Sequence, residues 1–247
     1  MRNFYAADQA GIHHARFGDL AADAASLVID RLRATGLTCG HVTDLGCGSG
    51  ILAAALLDAG YSVTGVDISD AMVAIARTTA PDGDFSVGSI HDVALAPSVA
   101  VTAIGEVLNY ATDPRAGLDA LTAVAARVFE ALAPGGVFAF DVSTPGRNLG
   151  LDVRHVFHDY DTWMLGMHAT EGDHTLDRRI VILMREPGGG YRRVDEHHVL
   201  VLYDVAAVTA ALEGVGFSVE IRPSYTAVTA STPPSGWAVV IATKASL

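Results

Sequence analysis

The chain has 247 residues, 50% of them apolar, and its 28 acidic residues outnumber 16 basic ones for a formal net charge of -12. Lys244 is the only lysine, which excludes chemistry based on a buried lysine, such as a Schiff base, and a GxxxxGK[ST] phosphate-binding loop. An acidic chain with dispersed arginines lacks the concentrated positive face that nucleic acid requires. The expected partners are therefore small molecules or other proteins.

Length and apolar content predict one compact domain, with room for a subsidiary cap. Cys39 and Cys47 are the only cysteines, which predicts a reduced protein without a disulfide framework. The N-terminal residues lack the apolar core of a signal peptide, and no stretch approaches the ~20 apolar residues of a membrane span. We expect a cytoplasmic protein that binds neither membrane nor nucleic acid, with a homodimer as one state that the sequence permits.

Strand and helix patterns alternate through the first 142 residues. Apolar residues at helical spacing predict helices near 18–35, over 51–59, from Ser69 or Asp70 to Arg77, and over 118–132. Short apolar runs predict strands over 41–45, 61–66, 85–87, 99–104 and 137–142. The alternation predicts a mostly parallel sheet with helices on both faces, whose ligands bind beyond the carboxyl ends of the strands.

The alternation stops between about Ser143 and Tyr203, where strand patterns and glycine turns occur without helices. Strands are predicted there over 162–169, 175–185 and 191–203. This pattern predicts an antiparallel β cap, residues 143–203, inserted after the fifth strand.

After the cap, the alternating helix and strand pattern of the main sheet resumes. The pattern predicts a helix over 205–214 and strands over 217–221 and 237–243, the last of them antiparallel because the preceding loop is short. The predicted fold is α/β and doubly wound, with a seven-stranded, mostly parallel sheet. Residues 1–142 and 204–247 would form the cofactor-binding domain, with an N-terminal lid segment.

A glycine-rich loop carries the clearest chemical signal. Gly46, Gly48 and Gly50 follow the first strand and open a helix, so the backbone can turn tightly and approach a ligand. Asp67 ends the next strand, where a carboxylate can accept both hydroxyls of a ribose. Together the loop and the acid predict a ligand that contains adenosine.

The spacing of the glycines helps to identify that ligand. The dinucleotide pattern GxGxxG would place its third glycine at Ile51, and Asp44 adds an acid where a pyrophosphate would be repelled. An acid there suits an ammonium group instead. An adenosine joined to an amino acid without phosphate is S-adenosylmethionine.

The sequence resembles the class I S-adenosylmethionine-dependent methyltransferases. The stretch DLGCGSG at 44–50 is similar to their first motif and GVDIS at 65–69 to their second. The third and fourth motifs resemble FSVGSI at 85–90 and AIGEVLNY at 103–110, and LAPGGVFAFDV at 132–142 is similar to the segment entering their fifth strand.

This resemblance implies roles for individual residues in binding S-adenosylmethionine and its product S-adenosylhomocysteine. Asp44 and the backbone of Gly46, Cys47, Gly48 and Gly50 would hold the methionine end, and Asp67 the ribose. The remaining cofactor contacts are assigned to Ile68, Met72, Ser89, Ile90, Gly105, Glu106 and, in the N-terminal segment, Tyr5. Ser89 replaces an acid found in many members, so the adenine amino group would contact backbone or Asp92.

Candidates for acceptor binding and catalysis lie at the sheet edge and in the cap. Glu106 and Tyr110 follow the fourth strand, and Glu196 and His198 share one face of a cap strand, where a carboxylate could orient an imidazole as general base. These four are the candidate catalytic residues. The candidate substrate-binding residues are His14, Asn109, Trp163 and Arg193.

The sequence also bears on alternative functions. The histidines are not spaced as metal ligands on one face, so no metal is expected. The leading hypothesis is methyl transfer to a nitrogen or oxygen of a small acceptor: an amino acid, amino-sugar, peptide amine or natural-product scaffold. The alternatives are a dinucleotide-dependent oxidoreductase and a protein that binds the cofactor without transferring its methyl group.

Overall fold

The computed structural model describes residues 10–12, 18–149, 151–227 and 235–246, which form two β-sheets flanked by helices. Numbered in chain order, the helices are α1 (Gly18–Ala34), α2 (Ile51–Asp58), α3 (Asp70–Thr79), α4 (Leu118–Ala131) and α5 (Val205–Val215). The larger sheet contains β1 (His41–Leu45), β2 (Ser62–Asp67), β3 (Asp84–Val87), β4 (Ser98–Ala103), β5 (Leu132–Ser143), β10 (Phe217–Arg222) and β11 (Trp237–Lys244). The smaller sheet contains β6 (Val153–Asp159), β7 (Trp163–Glu171), β8 (Thr175–Arg185) and β9 (Tyr191–Val201).

The larger sheet has seven strands in the order β10-β11-β5-β4-β1-β2-β3. Neighbouring strands are parallel except for β11, which runs antiparallel to both β5 and β10. This topology confirms the predicted fold class, including the antiparallel final strand. Because β1, β2 and β4 are parallel neighbours, their carboxyl ends lie together at one edge of the sheet.

The core lies on both faces of this sheet. Side chains of β5 alternate between the faces: Val137 and Ala139 pack with α1, α2 and α3, whereas Phe138 and Phe140 pack with α4 and α5. The two apolar layers fix the sheet rigidly, so its carboxyl edge is a stable platform for a site.

The smaller sheet, here called the cap, is antiparallel in the order β6-β7-β8-β9. The sequence pattern predicts β7, β8 and β9, whereas β6 is an additional strand. The inward-facing residues of β6 include Arg154 and His158. Its sequence therefore lacks the regular alternation of apolar and polar residues that predicts a strand.

Asn109 joins the cap to the main sheet from a 3₁₀ turn (Val107–Asn109) after β4. Its Nδ2 donates to the carbonyl oxygens of Ser143 (3.0 Å) and Val201 (2.6 Å), and its Oδ1 accepts from the Ser143 N–H at 3.1 Å. Ser143 ends β5 and Val201 ends β9, so this buried amide fastens both ends of the inserted segment.

The chain's single lysine has a structural position. Lys244 Nζ donates to the carbonyl oxygens of Phe129 and Leu132, each at 2.7 Å, and lies 4.7 Å from the centroid of the Phe129 ring. The last carbonyls of a helix lack intrahelical partners, so Lys244 stabilises the C-terminus of α4.

None of the helices in the described part of the chain combines the length and apolar character needed to span a bilayer.

Substitutions at the two glycines that flank α2 test how closely this helix packs. Gly50 (φ 79°) and Gly60 (φ 95°) both have left-handed backbones, but an added Cβ at Gly50 would lie 2.9 Å from Ala76 Cα, whereas nothing lies within 4 Å at Gly60. We expect Gly50→Ala to lower the free energy of unfolding by about 1–3 kcal/mol more than Gly60→Ala, because only the former forces α2 away from α3. Urea denaturation of both variants measures the difference, and equal losses would contradict the packing role.

Candidate functional site

The glycine-rich loop connects β1 to α2 and is held against the end of β2. The N–H groups of Gly46 and Cys47 donate to the carbonyl oxygen of Val66 at 2.7 and 3.0 Å. The loop therefore has a fixed shape at the carboxyl edge of the sheet. Gly50 is the N-cap of α2 and lines neither of the two cavities described below, so the structure gives it a role in close helix packing, and its cofactor contact stays a prediction.

Asp67 lies across the loop at the end of β2. Its Oδ2 accepts from the Gly48 N–H at 2.9 Å and its Oδ1 from the Ser69 N–H at 2.8 Å. Burial raises the pKa of Asp67, although the N–H groups of Ser69 and Gly48 act in the opposite direction. A carboxylate has about four lone-pair sites, so Asp67 can accept further hydrogen bonds from a ligand.

Asp44 is a buried carboxylate at the base of the loop, with only 2% of its surface exposed. Thr102 Oγ1 donates to its Oδ1 at 2.7 Å. Burial raises the pKa of Asp44 to about 7, and the nearby Asp67 carboxylate adds to the effect. Among the described residues, no Arg, Lys or His side chain lies within 4 Å to balance its charge, so the site has the electrostatics to bind a cation.

Two adjoining cavities open at this edge. The smaller, of about 130 Å³, brings together all five residues predicted to surround the adenosine: Asp67, Ile68, Met72, Ser89 and Ile90. Asp113 also lines it and accepts from Ser89 Oγ at 3.2 Å. Asp92 does not line it, because its exposed carboxylate binds Arg115 instead.

The larger cavity, of about 660 Å³, lies between the loop and the cap. From the main sheet it is lined by Asp44, Gly46, Cys47, Gly48, Gly105, Glu106 and Tyr110. From the cap it is lined by Arg154, Val156, His158, Leu165, Met167, Arg178, Ile180 and His198. Gly46, Gly48, Gly105 and Tyr110 line both cavities, so the two spaces meet at the glycine loop.

Glu106 is the most heavily bonded residue in the larger cavity. Arg178 donates to both of its oxygens, at 2.6 and 3.0 Å, Arg147 Nε donates to Oε1 at 2.9 Å, and the Ser143 hydroxyl donates to Oε1. Burial would raise the pKa of Glu106, but the two arginines lower it to about 2. A carboxylate that stays ionised and paired is a poor proton acceptor, so the contacts of Glu106, a predicted catalytic and cofactor-binding residue, favour a role in anchoring the cap.

The backbone of Glu106 is unusual as well. Its φ is 63°, a left-handed conformation that is rare for a residue with a side chain. Asp141 holds this turn, accepting from the N–H groups of Gly105 and Glu106 at 2.8 and 2.6 Å and from the Tyr225 hydroxyl at 2.6 Å. Burial raises the pKa of Asp141 to about 7.

Glu196 and His198 form a buried pair on β9. Glu196 Oε2 lies 2.8 Å from His198 Nε2, both side chains are at most 2% exposed, and the Tyr110 ring meets the imidazole edge-on with centroids 5.6 Å apart. His198 and Tyr110 line the larger cavity, whereas Glu196 does not. A carboxylate that accepts the Nε2 proton fixes the tautomer in which Nδ1 is basic.

Other predicted substrate residues lie elsewhere. Asn109 is occupied by backbone groups, as described above, and Trp163 packs in an apolar cluster with Ile12 and Ile182 instead of lining the cavity. Arg193 points to the outer face of β9, away from the cavity, where it is exposed and bound to Asp195. Tyr5 and His14 lie outside the described residues.

The sequence interpretation missed the arginines that line the larger cavity. Arg147, Arg154 and Arg178 come from three different segments, and only their concentration in the cap was visible in the sequence. The partner of Arg178 is Glu106, 72 positions away, and such a distant pairing leaves no local pattern.

Comparisons with known proteins agree with this geometry. Residues 42–136 match a family model described as a methyltransferase domain. A protein of Geobacillus sp. (strain WCH70) that carries the name methyltransferase is 26% identical over 195 residues, which are 75% of this chain and 77% of that protein.

Solved structures share the fold. An S-adenosylmethionine-dependent methyltransferase from Clostridium acetobutylicum ATCC 824 has a TM-score of 0.80 at 19% identity, covering 91% of this chain and 92% of that one. The sugar N-methyltransferase KedS8 from Streptoalloteichus sp. ATCC 53650 has a TM-score of 0.75 at 21% identity, covering 95% and 91%. The matched residues 42–136 therefore carry a methyltransferase domain, and the chain has the fold of S-adenosylmethionine-dependent methyltransferases.

Proposed function

We propose that this enzyme methylates a nitrogen or oxygen atom of a small acceptor that binds in the larger cavity. The observation that carries the proposal is the position of that cavity, which adjoins the glycine loop on one side and is covered by the cap on the other. Its volume of about 660 Å³ is in the range of small-molecule sites.

The residues present suit the cofactor. Asp44 would pair with the ammonium of the methionine end, and Asp67 would accept from the ribose hydroxyls. Ile68 and Met72 would pack against the adenine, and Asp113, which lines the same cavity while paired with Arg115, would be an acceptor for its amino group. When bound, S-adenosylmethionine supplies an electrophilic methyl group on sulfur.

The chain's own contribution to the reaction is alignment, exclusion of water and removal of a proton. Leu165, Met167 and Ile180 form an apolar wall that would keep water from the acceptor. His198 would take the proton that the attacking nitrogen or oxygen loses, with Glu196 orienting the imidazole and Tyr110 packing against it. Glu106 would hold Arg178, and through it the cap, in place.

Amines are the first acceptor class to test: amino acids, peptide amines and amino-sugars. The sugar N-methyltransferase KedS8 has the same fold, which supports amines over hydroxyl groups of natural-product scaffolds as the first choice. Labelled S-adenosylmethionine with panels of amines and phenols would identify the acceptor. A protein that binds S-adenosylhomocysteine but labels no member of either panel would contradict the proposal.

Replacing Asp67 tests the ribose contact. We expect Asp67→Ala to weaken S-adenosylhomocysteine binding by about 10- to 100-fold, because buried ribose hydroxyls would lose their acceptor. Isothermal titration measures the change. Asp84→Ala, an exposed acid on the neighbouring strand, is the matched control and should bind like the wild type. Equal affinities in the two variants would remove Asp67 from the site.

The raised pKa of Asp44 predicts how affinity depends on pH. The ammonium would bind the ionised carboxylate, whose pKa in the unliganded protein is about 7. Affinity for S-adenosylhomocysteine should therefore rise from about pH 5.5 to 7.5 and then level off. At the acidic end of this range Asp44 is protonated and would release its proton when the ligand binds. Titrations in buffers of different ionisation enthalpy measure that proton. Asp44→Asn should lower the affinity and remove this dependence; a dependence that persists in the variant would assign it to another group.

Variants of His198 and of His197, its neighbour on the opposite face of β9, distinguish a catalytic role from a structural one. We expect His198→Gln to reduce the methyl-transfer rate by about 100-fold or more on an acceptor that arrives protonated, because general-base catalysis is lost. Single-turnover methylation measures the rate, and titration should show unchanged cofactor affinity. His197→Gln removes an exposed imidazole on the outer face of β9 and should leave the rate unchanged. Equal rates in both variants would exclude His198 as the base.

A further inference from the structure

One level of the cap carries a row of basic side chains above the larger cavity. Arg154 on β6 lies opposite Ala169 on β7, Ala169 opposite Arg178 on β8, and Arg178 opposite His198 on β9. Residues that face each other across antiparallel strands project from the same side of a sheet. Arg154, Arg178 and His198 all line the cavity, so the row faces the bound acceptor.

The next levels of the same face are mainly apolar. Val156, Met167 and Ile180 form the adjacent row, and Leu165 follows one level further along β7; all four line the cavity. The two polar members of these rows are Glu196, at the β9 end of the first, and His158, opposite Leu165 in the second. The cavity therefore presents a cationic end and an apolar wall next to it, which suits a ligand with both kinds of group.

The charges of the three cavity arginines are not equally balanced. Glu106 lies within 3.0 Å of both Arg178 and Arg147, so its carboxylate offsets those two guanidinium groups. Arg154 is half-buried, and none of the Asp or Glu side chains in the described ranges lies within 4 Å of it. No cap residue that lines the cavity is acidic.

A half-buried guanidinium without a carboxylate partner is a binding group for an anion. Its planar donors match the two oxygens of a carboxylate or phosphate, and partial desolvation strengthens the pairing.

We propose that the methyl acceptor carries an anionic group, a carboxylate or a phosphate, that binds Arg154, and an apolar portion that lies along Val156, Met167 and Ile180. This proposal rests on the proposed function, since it describes the substrate of the same cavity. The backbones of Arg154 and His198 are about 14 Å apart, three interstrand spacings, so the anion and the methylated atom belong to different parts of the acceptor.

The test uses simple probes with one common chain: hexanoate, hexyl phosphate and hexanol. The protein is first saturated with S-adenosylhomocysteine, and each probe is then titrated at constant ionic strength. We expect at least one of the two anions to bind and hexanol to bind more weakly. Arg154→Gln should lower the affinity for that anion by about 10- to 100-fold and leave the affinity for hexanol unchanged. The two anions distinguish a carboxylate from a phosphate.

Two further variants control for charge and folding. Arg179→Gln removes a positive charge from the outer face of the same sheet, where the side chain is 74% exposed, and should leave anion binding unchanged. Arg154→Lys keeps the positive charge but lacks the two parallel N–H donors of a guanidinium group, so it should lower the affinity for the anion by less than Arg154→Gln does. Thermal unfolding of all variants confirms that they are folded.

Several outcomes would overturn the proposal: no binding of either anion, equal affinity for hexanol and the anions, or equal losses in Arg154→Gln and Arg179→Gln. Failure of the proposed function is seen separately. In that case S-adenosylhomocysteine itself does not bind in the first titration, and the anion titration on the protein alone still decides the role of Arg154.

Discussion

The ion pair between Glu106 and Arg178 is the contact on which the larger cavity depends. It joins the end of β4 to the middle of β8, and both side chains are largely shielded from water, at 8% and 13% exposure. Removing one partner would leave a buried charge without compensation, which is far more costly than removing both. The left-handed turn at Glu106 aims the carboxylate at the cap, and Asp141 holds that turn. The position of the cap over the glycine loop therefore follows from a few buried polar groups.

Charge is distributed unevenly around the two cavities. Carboxylates occupy the sheet side, where Asp44 and Asp67 have raised pKa values because they are buried. Arginine and histidine occupy the cap side. Glu106 and Asp113 are the exceptions: cap and linker arginines lower the pKa of Glu106, and Arg115 lowers that of Asp113. A chain with a net charge of -12 thus has a cationic surface at the one place where the acceptor would contact the cap.

Sequence patterns predicted the main sheet well because each element has a strong local signal. Ser69 illustrates this, since its hydroxyl accepts from the Met72 N–H and caps α3 as expected. The glycine loop and Asp67 were found for the same reason. Asn109 and Arg193 do not line either cavity, because their partners are set by tertiary structure: the Asn109 amide binds the backbone of two distant strands, and strand register turns Arg193 outward. Arg154 was missed because its strand lacks an apolar alternation, and the Glu106 network joins residues that no sequence window contains together.

Lys244 has a practical consequence for experiments on this protein. Its ammonium group is engaged at the end of α4, against the carbonyl oxygens of Phe129 and Leu132. Reagents that couple to amines, including those used to attach proteins to sensor surfaces, have one lysine to react with, at this helix end, besides the chain's terminal amine. Coupling at Lys244 would leave the residues that line both cavities unmodified, while loss of the ammonium charge would weaken one helix terminus.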